Sequence, residues 1–182
     1  FYYVCFENGT SSYSECETPN LFNDEIQDCD DVFNFEYSNI SKFPKYVSHL
    51  LLSSMRPDAT YSGGVTFKGT GLDFKSDAAV IKGAIALLKE KNPNTKVLVS
   101  VGGFDYDNWD GLNASAVANF VRDFGLDGVD VDYEPSTADC KLVEEKMQCS
   151  TDSEYVNAIK ALRVALPRPY ILSNAVLHVG AF

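Results

Sequence analysis

Three acids stand in single file at Asp130, Asp132 and Glu134, separated by Val131 and Tyr133 and preceded by Val129. Strict alternation from Gly128 to Glu134 has period two, the mark of a β-strand, whose successive side chains leave opposite faces. At a rise of roughly 3.3 Å per residue, neighbours on one face lie about 6–7 Å apart. Carboxylates crowded at that spacing away from water cannot all ionise cheaply, so at least one is expected to keep its proton. A carboxyl group still protonated near neutral pH is what a general acid requires. Glu134 suits the part best. It is last in the file, has the longer side chain, and lies at the strand's carboxyl end, where parallel α/β folds keep their active sites. Asp132 then sits behind it to share its proton or stabilise positive charge on a substrate, with Asp130 tuning Asp132 from below. Asp127 has the wrong parity for that face and is read as structural. Read instead as a cation loop, D-x-D-x-E lacks the glycine an EF-hand needs at its sixth position, where Pro135 stands. No metal or cofactor is expected.

The elements around the file decide whether it faces water. Ala114 to Phe124 reads as a helix, with Val117, Phe120, Val121 and Phe124 at helical spacing and Gly125 ending it. Thr151 to Leu166 reads as another, opened by a Thr151/Glu154 capping box and turning Tyr155, Ile159, Leu162 and Leu166 inward. A strand between two helices belongs to a parallel, covered sheet, so its acids face an interior or a carboxyl end. Ser76-Asp77 caps a helix to Lys91, and Lys96 to Val101 is an apolar run expected as a buried strand with Ser100 as its polar residue. Phe1 to Phe6, Tyr46 to Ser53 and Tyr170 to Val176 complete the strand set, while Val32 to Lys45 follows neither period. His49 is read as a hydrogen-bonding strand residue rather than a base. Gly102-Gly103 lets the backbone turn where a substrate must come close. Phe104, Tyr106 and Trp109 follow it, either as loop packing or, for Phe104 and Trp109, as platforms for sugar rings.

Asp127-Gly128-Val129-Asp130-Val131-Asp132-Tyr133-Glu134 resembles the D-G-x-D-x-D-x-E signature of the family 18 glycoside hydrolases, the chitinases and their relatives. Lys96 to Gly103, ending Ser100-Val101-Gly102-Gly103, is similar to that family's S-x-G-G strand, one helix earlier. The resemblance runs from about Val47 onward. It implies an α/β fold, the eight-stranded β/α (TIM) barrel, of which 1–182 would be a partial catalytic domain carrying about strands one to five. On that expectation, strands six to eight lie beyond the chain, and the 182 residues alone form neither a closed barrel nor a competent hydrolase. The resemblance also implies that Ser100 hydrogen-bonds Asp130, and that Phe104, beside Gly103, takes the place of a frequent tryptophan at the sugar. The implied reaction is hydrolysis of a β-1,4 bond next to N-acetylglucosamine with retention. The motif offers one acid and no second carboxylate at nucleophile distance, which fits the substrate-assisted route that exempts this family from the two-carboxylate scheme. A non-catalytic glycan-binding relative on the same scaffold is the alternative, though such relatives typically lose the terminal Glu. Chitin, a bacterial wall glycan and the core of an N-glycan all remain open as substrate.

The chain has 182 residues, 45% of them hydrophobic, which is enough for one sizeable core. Its formal charge is −11, from 26 acidic and 15 basic residues, which argues against nucleic acid or an anionic membrane surface as partner. No apolar run reaches spanning length. Cys16 and Cys29 flank one acidic loop and Cys140 and Cys149 another, so both pairs are expected as disulfides, with Cys5 free, in an oxidising, extracellular compartment. Sequons at Asn8, Asn39 and Asn113 point weakly the same way. The full-length protein is expected to be secreted and monomeric.

Overall fold

A computed structural model describes residues 39–136 and 138–175, together with the backbone of four short strands before them. Those four form two antiparallel pairs. β1 (Tyr2–Cys5) lies against β2 (Ser11–Ser14), and β3 (Leu21–Asn23) against β4 (Asp28–Asp30). The expected first strand therefore pairs with its neighbour in sequence rather than with the parallel sheet. Only five residues separate β1 from β2, a connection that suits a hairpin and is too short for a parallel crossover. The side chains of Cys5, Cys16 and Cys29 lie outside the described residues.

From β5 onward strand and helix alternate: β5 (His49–Met55), α1 (Ala78–Lys91), β6 (Lys96–Gly102), α2 (Ala114–Asp123), β7 (Gly128–Asp132), the hairpin β8 (Cys140–Val143) and β9 (Lys146–Cys149), α3 (Asp152–Ala165) and β10 (Ile171–Ala175). β5, β6, β7 and β10 form one parallel sheet in the order β10-β7-β6-β5. It is the run of consecutive βα units expected of a partial barrel. β6 explains why its sequence is nearly all apolar. Val97, Val99 and Val101 point one way and are fully buried, while Leu98 and Ser100 point the other and are 0% and 4% exposed. A strand covered on both faces has no position for a charged side chain without a partner.

The helices pack on the valine face. α1 contributes Ile81, Ile85 and Leu88, and α2 contributes Val117, Phe120 and Val121. Phe120 stacks on Phe124 at 4.2 Å, and Phe67 stacks on Phe124 at 5.6 Å. Each such side chain removed from water contributes about 1.5–3 kcal/mol. α2 ends as its sequence requires. Gly125 takes φ +66, its N–H donates to Arg122 O and the Leu126 N–H to Val121 O, the two bonds of a Schellman stop. That stop delivers the chain directly into β7.

Asp127 ties β7 to its neighbours at their amino ends. Its carboxylate accepts from the Val97 N–H at 2.8 Å and pairs with Lys89 at 2.9 Å, and its carbonyl accepts from the Ile171 N–H at 2.8 Å. Next to it, a Cβ on Gly128 would lie 2.0 Å from the Ile171 carbonyl oxygen, so only glycine permits this approach of β10. Loops are pinned in the same way. Tyr61, 3% exposed, donates its phenol proton to Asp123 at 2.7 Å, and burial first, then that bond, push its pKa up to about 12. Asn113 caps α2 by accepting from the Ala116 N–H, and its amide donates to Ala59 O, so a sequon nitrogen is engaged in the fold.

Two expectations change in detail. Thr151 makes no side-chain cap on α3, and Glu154 is engaged elsewhere, as described below. The loop after the acids is an ordered hairpin closed by a Cys140–Cys149 disulfide. Its two-residue turn, Glu144-Glu145, holds both residues at positive φ (49 and 63), the conformation of a type I′ turn, although Asn-Gly is the usual sequence signal.

Two measurements check this account. Gly128→Ala should force β10 away from β7, destabilise by about 3 kcal/mol or more and lower Tm by roughly 6–12 °C; an unchanged melt would contradict the close approach. Tyr61 sets an alkaline dependence. Its folded pKa is raised above the ordinary value of 10, so its contribution to stability is complete below pH 10 and is lost as pH climbs through about 12. Unfolding free energies measured by urea titration across that window should fall less steeply for Tyr61→Phe than for the parent protein.

Candidate active site

The parallel register aligns the acids with small partners on both sides. Ser100 on β6 and Ser173 on β10 are the residues opposite Asp130, and Gly102 and Ala175 are those opposite Asp132. Asp130 is 6% exposed and hydrogen-bonded on both oxygens: Ser100 Oγ donates to Oδ2 at 3.2 Å and Ser173 Oγ to Oδ1 at 2.6 Å. Two hydroxyl donors from the flanking strands hold the buried carboxyl group in one orientation. The sequence reading named Ser100 and missed Ser173. Its signal was there, as the first polar residue in the run that follows Tyr170, but the register that brings it opposite Asp130 is not legible from one strand alone.

Asp132 is the last residue of β7 and is half-buried. Its carbonyl accepts from the Gly103 N–H at 2.7 Å, the bond that closes β6 against β7 at their carboxyl ends. The two glycines of the pair serve differently, Gly102 by sterics and Gly103 by its backbone conformation. Gly102 has φ +103, and a Cβ on it would lie 2.3 Å from Asp132 O and 2.5 Å from Trp109 Cζ2. Gly103 has φ +87, and a Cβ on it would stand 3.5 Å from Asp132 Oδ2 and 3.4 Å from Ser54 Oγ. The bare Gly103 backbone thus leaves one side of the Asp132 carboxylate open.

Glu134 lies two residues beyond the end of β7 and is exposed, so it belongs to the departing chain rather than to the strand. Between them Tyr133 faces the opposite way, as the alternation requires. Its ring lies between Trp109 and Tyr155, each 5.3 Å away, and its phenol donates to the Glu154 carboxylate. Burial, and then that hydrogen bond, raise its pKa to about 12.

The aromatic residues after the double glycine part company. Phe104 is 88% exposed and, with Gly103, Ser54, Asp73, Asp105 and Tyr106, lines an open cavity of about 230 Å³. Trp109 is 3% exposed, so its ring is not open as a platform for a sugar. It packs beneath Gly102 and against Tyr133, because a glycine at 102 leaves the space that an indole fills. His49 sits at the amino end of β5, the opposite end of the sheet from the acids, with Nδ1 3.1 Å from Ser48 Oγ. Among the described residues, no group of three or more His, Cys, Asp or Glu side chains is arranged to hold a metal ion.

Comparison with known proteins gives this arrangement a setting. The chain is 31% identical to Chitinase 1 of Aphanocladium album, over 48% of its own length and 26% of that chitinase. It therefore spans about a quarter of the curated relative it matches. Among solved structures, YKL-39 determined in the presence of chitooligosaccharides (GlcNAc4) superposes with a TM-score of 0.50 at 19% identity, over 74% of this chain and 37% of that one. The Group IV chitinase of Ostrinia furnacalis in complex with allosamidin gives 0.49 at 21%, over 78% and 41%. The sequence profile of Glycosyl hydrolases family 18 matches residues 3–181, nearly the whole chain. The chain belongs to glycoside hydrolase family 18, and its sheet is part of that family's β/α barrel.

Proposed function

We propose that the full-length protein hydrolyses β-1,4 bonds next to N-acetylglucosamine in a chitin-type polymer, with retention, and that Glu134 is its general acid and base. The observation that carries this reading is the arrangement at the carboxyl end of β7. A clamped Asp130, a half-buried Asp132 beside a bare Gly103 and an exposed Glu134 follow one another at the mouth of the sheet. In the proposed first step the Glu134 carboxyl proton passes to the glycosidic oxygen as the bond from that oxygen to the anomeric carbon breaks. The substrate's own acetamido oxygen attacks the anomeric carbon and forms an oxazolinium ion. Asp132 accepts a hydrogen bond from the acetamido N–H and offsets the positive charge, while Asp130, clamped by Ser100 and Ser173, backs it from below. Glu134, now a carboxylate, takes a proton from water, which attacks the anomeric carbon and reopens the ring. Two displacements give net retention.

Asp132 is suited to its part because the face beside Gly103 has no Cβ, so an acetamido group can lie against it. Phe104 offers an exposed ring at the edge of the adjoining cavity for the next sugar's apolar face. The Cys140–Cys149 bond supports secretion, since such bonds persist in oxidising compartments.

Glu134→Gln in the full-length protein tests the assignment. The amide keeps shape and hydrogen bonding but has no proton to give, so kcat on β-1,4 N-acetylglucosamine oligomers should fall by about 10²–10⁴-fold while oligosaccharide affinity survives. Near-normal turnover would sink the proposal. Binding without turnover in the parent protein as well would place it with the non-catalytic members of the scaffold.

A further inference from the structure

The sheet's hydrogen bonding reaches Asp132 and stops two residues short of Glu134. The registers of β6 and β10 on β7 both end at Asp132, and the Gly103–Asp132 bond is the last tie there. Tyr133 is the next residue and Glu134 the one after, so the first group able to fix the direction of Glu134 is the Tyr133 side chain. Its ring is slotted between Trp109 and Tyr155, which sets its plane. Depth along the slot is set by the phenol, which donates to Glu154 and has the Thr151 carbonyl 3.4 Å away.

Glu154 is well placed to be a fixed point. It lies in the first turn of α3 beside Asp152, where a negative charge is favoured by the helix dipole. α3 is itself seated on the core through Ala158 and Leu162, 4% and 0% exposed. The Thr151 side chain makes no cap bond on α3, and the Glu154 carboxylate is committed to Tyr133 instead. A phenol–carboxylate hydrogen bond is charge-assisted and among the stronger neutral-to-ion contacts a side chain can make.

We propose that Glu154 is a positioning residue, which through Tyr133 sets where Asp132 and Glu134 stand at the mouth of the sheet. It touches no substrate. Its effect on rate comes from holding the two acids within the fraction of an ångström that proton transfer and acetamido attack require. The proposal rests on the hydrolase reading for its kinetic consequence, but not for its structural one.

The test uses the full-length protein with Glu154→Ala, Glu154→Gln and Tyr133→Phe, and two readouts. One is kcat and KM on a β-1,4 N-acetylglucosamine oligomer. The other is amide hydrogen exchange, by mass spectrometry, of the peptide spanning residues 131–136. Glu154→Ala should lower kcat by about 30–100-fold, as a displacement near 1 Å does, with KM within about 3-fold, and should speed exchange in that peptide. Glu154→Gln, whose amide oxygen still accepts from the phenol, should recover both to within about 3-fold of the parent. Tyr133→Phe keeps the ring and loses only the donor. It should reproduce the Ala result, and it decides the matter if Glu154→Ala does not fold. Unchanged kcat and exchange in Ala and Phe would overturn the proposal, as would a Gln variant as slow as Ala. If the parent protein releases no sugar, the hydrolase reading fails by itself and the exchange readout alone decides the role of Glu154.

Discussion

A carboxylate buried between two strands has to be satisfied, and most of what is distinctive here follows from how Asp130 meets that demand. Removing a charge from water costs several kcal/mol unless donors replace the solvent. Ser100 and Ser173 supply one donor to each oxygen, from the strand on either side. For both to reach it, β6, β7 and β10 must be parallel and in one register. Asp127 fixes that register at the other end of β7 by binding the Val97 N–H and offering its carbonyl to Ile171. The site and the sheet are thus specified by the same few bonds.

The register then spreads small residues where room is needed. One row up from the serine clamp, Asp132 is flanked by Gly102 and Ala175, the two smallest residue types, so no bulky side chain stands opposite it on either neighbouring strand. On the cavity side the chain turns through Gly103 at positive φ, a conformation that a residue with a Cβ would hold only at a cost. The chain thus opens at the carboxyl ends of its strands because its smallest residues are gathered there. Gly71, Gly102 and Gly103 all line the cavity beside Phe104.

Much of this is legible in one sequence, and what is not has a common cause. The alternation of Asp130, Asp132 and Glu134 with Val129, Val131 and Tyr133 settles which side chains share a face, and Gly125 and the double glycine mark where elements stop. These are local signals. Ser173, the burial of Trp109 and the partner of Glu154 depend on contacts between segments about 20 to 43 residues apart, and single-strand periodicity carries no register. Trp109 reads as a platform because it is an aromatic residue in a loop after a strand; the space beneath Gly102 together with the Tyr133 ring, 24 residues further on, claims it instead. The capping-box pattern at Thr151 failed for a similar reason. A buried phenol needs an acceptor more than an exposed helix end needs a cap, since water serves the latter. The β8–β9 hairpin was missed because Glu144-Glu145 carries no turn signature, and its ends are tied by a disulfide rather than by turn chemistry.

β7 has two faces, and they have opposite requirements. Inward, Asp130 needs its two hydroxyl donors and Asp132 needs small neighbours. Outward, Val129 and Val131, 1% and 0% exposed, need the apolar cover of the helices. Because side chains alternate with period two, a slip of one residue would place valines among the serines and bury the acids in the helical layer, so neither face can be altered independently. Tyr133 is where the two requirements meet. Its ring continues the apolar layer between Trp109 and Tyr155, and its phenol reaches past that layer to a carboxylate on α3. A phenylalanine would fill the slot, and a smaller polar residue would reach no partner. Only a residue with an apolar body and a polar tip ends the core and begins the site in one position.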